Sequence, residues 1–274
     1  MLRTPSVPRE VDVNYAGLKH GLQMDTVWDW NDLTAELDQW AAGGQVASLW
    51  WRDDDAVKLT PPLRYALNLS QRYQVPIHLS VIPARMSSAF GDELDRDVRM
   101  SVLQHGYAHA EGELYGNRAP ERVLAELVDG REILSSAFSN QFIPVLVPPW
   151  NLIRNEFIPL IAQAGLQGLS ADGQRSARFA VPGVEILNTH SGPLEWQNGI
   201  PRFAGTSVPL QSLVEHLRAR RSGTADLDEP TGFCTHHLRN DQASWGFFER
   251  LLAETSAHRA ARWIGLREIL NEPR

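Results

Sequence analysis

The segment QVASLWWRDDD, Gln45 to Asp55, decides the fold: seven mostly apolar residues run straight into an arginine and three aspartates. The apolar part reads as a buried strand, and the charged part as its exit. Three adjacent carboxylates repel one another and destabilise the fold unless a cation or hydrogen-bond donors neutralise them. On an exposed turn such a run would be solvated and idle. At the end of a buried strand it becomes a candidate site.

Working outward from this strand, helix-like and strand-like segments alternate. Asn31 or Asp32 can cap a helix running to Ala42, stopped at Gly43-Gly44. Thr60 before Pro61-Pro62 starts a second helix that reaches about Tyr73. Ile77 to Ile82 and Val98 to Gln104 read as strands, and Pro120 to Phe138 as a long amphipathic helix. Ile143 to Val147 is a strand ending in Pro148-Pro149, followed by a helix from Ile153 to Ala164. Val184 to Thr189 and Gly232 to Thr235 are further strands, each followed by a helical stretch. This alternation predicts a parallel sheet, open or closed. The polar clusters all fall at C-terminal strand ends, where parallel α/β folds carry their active sites.

The 274 residues are compatible with one domain, 1–274, preceded by an arm over residues 1–25. A net charge of -7 argues against a nucleic-acid partner. Cys234 is the only cysteine, so neither a disulfide nor a cysteine metal cluster can form. No signal-like or membrane-spanning apolar run is present, so the expectation is a cytoplasmic protein without a membrane partner.

Four clusters carry chemistry. The first is Asp53-Asp54-Asp55. The second is His105 and His109, whose spacing of four puts both on one face of a turn, with Gly106 permitting the abrupt bend. Two histidines plus one carboxylate make a three-ligand site with open positions, as in catalytic zinc centres. The same set also forms the facial triad of non-haem iron oxygenases, although the α/β alternation argues against that class. The third is Pro148-Pro149-Trp150-Asn151, where the tryptophan can stack on a sugar or serve the core. The fourth is Cys234-Thr235-His236-His237, which offers a histidine of near-neutral pKa as general acid. His190, also at a strand end, is a candidate for lining the cleft. His78 and His216 read as structural, and Cys234 as a buried thiol.

In their order and spacing over roughly Gln45 to Leu270, these motifs resemble the polysaccharide deacetylases (carbohydrate esterase family 4, the NodB-homology domain). Asp53-Asp54 with Thr60-Pro61 matches the first family motif, His105 and His109 the second, and Pro148-Pro149-Trp150 the third. Gly192 to Trp196 is a weaker form of the fourth, and His236, with His237 as rival, matches the late histidine. The resemblance implies a distorted (β/α)7 barrel and a metal-dependent deacetylase acting on an N-acetylated sugar or oligosaccharide. It implies Asp53 as general base and His236 as general acid. Asp54, His105 and His109 become ligands of a divalent ion, most simply zinc. Substrate contacts fall to Pro149, Trp150, Trp196, His190 and His237. Two positions depart from the pattern: Val147 stands where the family carries an arginine, and Gly192 where it carries that arginine's aspartate partner. Arg52 or Arg154 can supply the missing charge. The departures open a second reading, a carbohydrate-binding domain that retains metal and has lost catalysis.

Overall fold

A computed structural model describes residues 27–94 and 99–270. The expected arm over residues 1–25 and Val98, the start of the third expected strand, lie outside the described residues. Helix α1, Trp30–Ala42, is capped by Asp29, whose carboxylate accepts from the amides of Asn31 and Asp32. The cap therefore stands two or three residues earlier than the sequence suggested. Strand β1, Ala47–Ala56, is followed by α2, Pro61–Tyr73, which Thr60 caps as expected. Then come β2, Ile77–Val81, the short α3, Phe90–Glu93, and β3, Met100–His105. Helix α4 spans Pro120–Phe138 and leads into β4, Phe142–Val147. Helix α5 occupies only Ile158–Gln163, because Arg154 is extended and Pro159 sits in the first turn.

The remaining strands are β5, Gly168–Leu169, β6, Phe179–Val181, and β7, Val184–Ile186. A hairpin of β8, Leu194–Gln197, and β9, Ile200–Phe203, stands where the sequence suggested a direct passage to helix. Helix α6, Ser207–Ser222, then leads to β10, Thr231–Thr235. Helix α7, Gln242–Ala257, strand β11, Ala261–Trp263, and helix α8, Leu266–Leu270, complete the described chain.

The main sheet runs β10-β1-β2-β3-β4-β5-β7-β6. All its pairs are parallel except β6 with β7, and β11 adds in parallel to the start of β1. Beyond β7 the chain crosses to the opposite edge. Ser191 forms a parallel bridge with Phe233 of β10, supported by bonds from the Ser191 amide to Gly232 O and from the Cys234 amide to Ser191 O. The sheet is thereby drawn into a distorted (β/α)7 ring whose last seam is a single bridge.

Strand alternation sorts β1 into two faces. Leu49 and Trp51 point outward into the layer between sheet and helices, where Trp51 packs on Phe248. Trp50 points inward with Leu103, Val145, Val147 and Leu187, and Leu266 and Ile269 of α8 join this inner cluster. Arg52 follows Trp50 inward. Among the described residues no helix is long and apolar enough to cross a membrane.

His78 ties the inner cluster together. Its Nδ1 lies 2.8 Å from Trp51 O, and its Nε2 accepts from the Leu266 amide at 3.0 Å. An amide can only donate, so Nε2 is the acceptor and the ring is neutral. Burial pushes its pKa down to about 4. Below its ordinary value near 6.5 the unfolded chain therefore takes up a proton that the folded chain refuses, and stability falls with pH across the window from about 6.5 to 4. The His78 contribution to this loss between pH 7 and pH 5 is about 2 kcal/mol. Urea unfolding at the two pH values should show that much less pH sensitivity in His78→Gln, whatever the variant's absolute stability.

Candidate metal centre and active site

The triple aspartate is not an exit loop. It lies inside β1, and an irregularity in that strand decides where each carboxylate points. Asp53 pairs with Leu79 and Ala56 with Val81, so Asp54 and Asp55 stand opposite Ser80 alone. This is a β-bulge, with Asp55 at φ 71°. Before the bulge, alternation sends Asp53 outward and Asp54 inward. The bulge then turns Asp55 inward as well.

Asp53 is fully buried on the outer face. It accepts from Thr235 Oγ1 at 2.5 Å and lies 2.5 Å from His237 Nδ1, while Trp51 Nε1 donates to the same Thr235 hydroxyl at 2.8 Å. Burial would lower the His237 pKa, but the Asp53 charge raises it above the ordinary value. These groups satisfy one another behind the sheet. Asp53 therefore has no access to the cleft, contrary to the base role expected for it, and His237, 1% exposed, is enclosed rather than substrate-facing.

Asp54 occupies the inner position. Its Oδ2 accepts from Arg52 Nη2 at 2.9 Å and from Cys234 Sγ at 3.4 Å, and lies 4.0 Å from His236 Nε2. Its Oδ1 is buried with no hydrogen-bond partner. Burial opposes the charge, but Arg52, with His105 and His236 behind it, holds this carboxyl far below the usual carboxylate range. Arg52 is itself fully buried. Nη1 donates to Ser170 O, Ser170 Oγ and Ala171 O, and Nη2 also to Asn151 Oδ1 at 3.0 Å. Of the two arginines considered for the missing charge, Arg52 fills the place. Arg154 pairs with Glu156 instead. Gly192 has no room for the side chain expected there, because a Cβ would stand 2.7 Å from Cys234 O.

The carboxylate that meets the two histidines is Asp55, one residue beyond the one assigned from sequence. Asp55 Oδ1 lies 3.4 Å from His105 Nε2 and 3.5 Å from His109 Nε2. Ligands bound at about 2.0–2.1 Å in a tetrahedral zinc site stand roughly 3.3–3.5 Å apart, so Asp55 Oδ1 already has the required separation from each imidazole nitrogen, and the three ligand atoms lie within 4.8 Å of one another. His105 Nδ1 is 2.9 Å from the Val147 carbonyl. Donation to that carbonyl puts the proton on Nδ1 and leaves the Nε2 lone pair for a metal. Burial and the neighbouring His105 push His109 below its ordinary pKa, whereas the carboxylates of Asp55 and Asp54 raise that of His105 against its burial.

Glu113, which the sequence reading missed, holds the histidine loop. Its buried carboxylate accepts from the amides of Tyr107 at 2.5 Å, Ala108 at 2.9 Å and Ala110 at 3.0 Å. Gly106 lets it approach, since a Cβ there would clash with Glu113 and with Pro149. The buried Pro149 thus packs beneath the loop. Trp150, at φ 57°, lays its ring 4.4 Å from that of His109 and stays 47% exposed. Trp196, 50% exposed on β8, stands edge-on to His236 with ring centroids 5.5 Å apart. Two exposed indoles therefore flank the site.

His190 does not line the cleft. Its Nδ1 accepts from the Gly232 amide at 3.0 Å, so Nε2 carries the proton and faces Glu229 at 3.2 Å. The ring stacks on His216, whose Nε2 also meets Glu229. A metal at this second His-His-Glu group would have to displace that Nε2 proton, so the group is structural.

No protein-family model matches the chain, and no curated protein matches it. Solved structures do. A Mycobacterium smegmatis protein assigned to the polysaccharide deacetylases aligns at TM-score 0.58 and 17% identity, covering 83% of this chain and 90% of that one. A family 4 acetyl xylan esterase from Clostridium thermocellum, solved with cobalt, aligns at TM-score 0.52 and 10% identity, with coverages of 81% and 89%. The fold is that of the family 4 carbohydrate esterases. A pseudoenzyme of that family from Bacillus anthracis is also similar, at TM-score 0.52 and 12% identity over 84% of this chain and 67% of its own.

Replacing Glu113 by Gln leaves one acceptor oxygen for three amides. Divalent-ion affinity, measured by competition with a chromophoric chelator, should fall about 10- to 100-fold, as it does when second-sphere partners of metal ligands are lost.

Proposed function

We propose that this protein is a metal-dependent deacetylase that hydrolyses an acetyl amide or ester on a sugar. The observation that supports it most is the juxtaposition of two differently wired carboxylates on one bulged strand. Asp55 is placed to bind an ion with His105 and His109, and Asp54, charged and paired with Arg52, stands next to it. This reading moves each role one residue along from the assignment drawn from sequence.

Asp55, His105 and His109 would hold a divalent ion, zinc being the simplest choice for two imidazoles, one carboxylate and open positions. Such an ion supplies Lewis acidity toward the substrate carbonyl and lowers the pKa of a bound water. Asp54 would take the proton of the attacking water, while Arg52 keeps the carboxylate ionised and oriented. His236, on the other side of Asp54, protonates the departing amine or alcohol. Trp150 and Trp196 offer flat apolar faces to sugar rings on either side. The net charge of -7 disfavours nucleic acid as substrate, and an oligosaccharide or sugar conjugate in the cytoplasm fits the sequence best.

The pseudoenzyme among the similar structures keeps a second reading open: a carbohydrate-binding domain that holds metal without turnover. Acetate release from N- and O-acetylated oligosaccharides separates the two. Asp54→Asn, which also leaves the buried Arg52 charge unanswered and lowers stability, should in its folded fraction keep its metal and lose about 100-fold or more in turnover. Asp55→Asn should lose metal and turnover together. Asp53→Asn should chiefly lower thermal stability. A wild-type protein that is metal-loaded and binds sugar yet releases no acetate establishes the binding-domain reading.

A further inference from the structure

We propose that Asp54, Cys234 and His236 form a second cation site, suited to zinc, whose occupation switches the neighbouring centre off. Cys234 Sγ lies 3.4 Å from Asp54 Oδ2 and 3.9 Å from His236 Nδ1. One donor atom from each of the three residues falls within 4.8 Å of the others, a cluster separate from Asp55, His105 and His109. Sulfur bound at about 2.3 Å and nitrogen or oxygen at about 2.0–2.1 Å leave tetrahedral ligand atoms roughly 3.3–3.6 Å apart, so small side-chain movements complete the site.

The donor set selects the ion. A thiolate, an imidazole and a carboxylate favour zinc over magnesium or calcium, which take oxygen ligands. Cys234 and His236 are both partly exposed, so an ion can enter from the cleft. On binding, the S–H bond breaks, its proton leaves to solvent, and the sulfur lone pair forms the bond to the metal. The site gains one net positive charge. Arg52 opposes that gain, with Nη2 2.9 Å from Asp54 Oδ2 and 3.8 Å from Cys234 Sγ. Arg85, which donates to the His109 carbonyl at 3.3 Å, stands at the backbone rather than at a ligand atom, so the Asp55 set fills first and the Cys234 set responds to excess ion. Given the deacetylase reading above, on which this consequence rests, an ion there ligates the general base and the general acid together and stops turnover.

Cobalt(II) titration of the metal-free protein tests the site directly. A thiolate bound to cobalt gives a near-ultraviolet charge-transfer band, and Cys234 is the only thiol in the chain. The first equivalent should bind without the band and the second with it. Cys234→Ser and His236→Gln should each lose the second step and retain the first, and His105→Gln should lose the first and retain the band. At zinc about ten times the second dissociation constant, wild-type turnover should fall about tenfold, because only the unfilled fraction works. The same zinc should leave Cys234→Ser at its own zinc-sufficient rate. Saturation with cobalt without a thiolate band overturns the proposal, as does a band that survives in Cys234→Ser. A protein that shows the band yet hydrolyses nothing refutes the deacetylase reading and leaves the second site standing.

Discussion

A guanidinium sealed inside a ring of strands is the constraint on which the site depends. Arg52 has no contact with solvent, and its charge is tolerable only because Asp54 answers it and Ser170, Ala171 and Asn151 accept from its two Nη groups, while Nε is left without a partner. Those acceptors come from the ends of β1, β4 and β5, so one side chain spans the ring and joins its walls. The same pairing keeps Asp54 ionised in a place where burial would otherwise favour the neutral acid. Stability of the fold and readiness of the carboxylate are one interaction seen from two ends.

The bulge in β1 then divides labour among three carboxylates that differ little in sequence. Asp53 closes a buried network with His237 and Thr235, Asp54 pairs with Arg52, and Asp55 faces the histidines. The arrangement carries backbone strain. Asp55, His109, Trp150 and Asn151 all have positive φ, and among the described residues only three other non-glycine positions share that conformation. Left-handed backbone at non-glycine residues costs on the order of 1–3 kcal/mol each, and it persists where surrounding contacts over-determine it. Glu113 provides such contacts for the histidine loop, and Pro148-Pro149 hold the approach to Trp150.

Much of this was legible in the residues. The apolar runs, the cap at Thr60, the bounds of α4 and the convergence of His105 with His109 follow from local rules of periodicity and capping that depend on few distant contacts. The assignment within Asp53-Asp54-Asp55 did not. Motif spacing favoured the first two, whereas strict alternation from the inward Trp50 would already have placed Asp54, not Asp53, inside. The bulge that adds Asp55 has no local signature, because it arises from register with β2. Glu113 was invisible for a related reason: its role is to collect amides of a loop whose shape exists only after folding. The hairpin of β8 and β9 lacks a long apolar run, and its strands are short and largely exposed.

The ring's final joint has a mechanical consequence. Ser191 and Phe233 meet at one bridge, whereas every neighbouring pair of long strands shares a ladder of several residues. Asp54, Asp55, His105 and His109 all lie on the well-laddered side, on β1 or just after β3, while Trp196 hangs from the hairpin immediately beyond the joint. Loosening there would swing one indole wall outward while the ion-binding atoms kept their spacing. The most weakly stitched part of the molecule thus borders the site without carrying the part where ångström-scale accuracy matters.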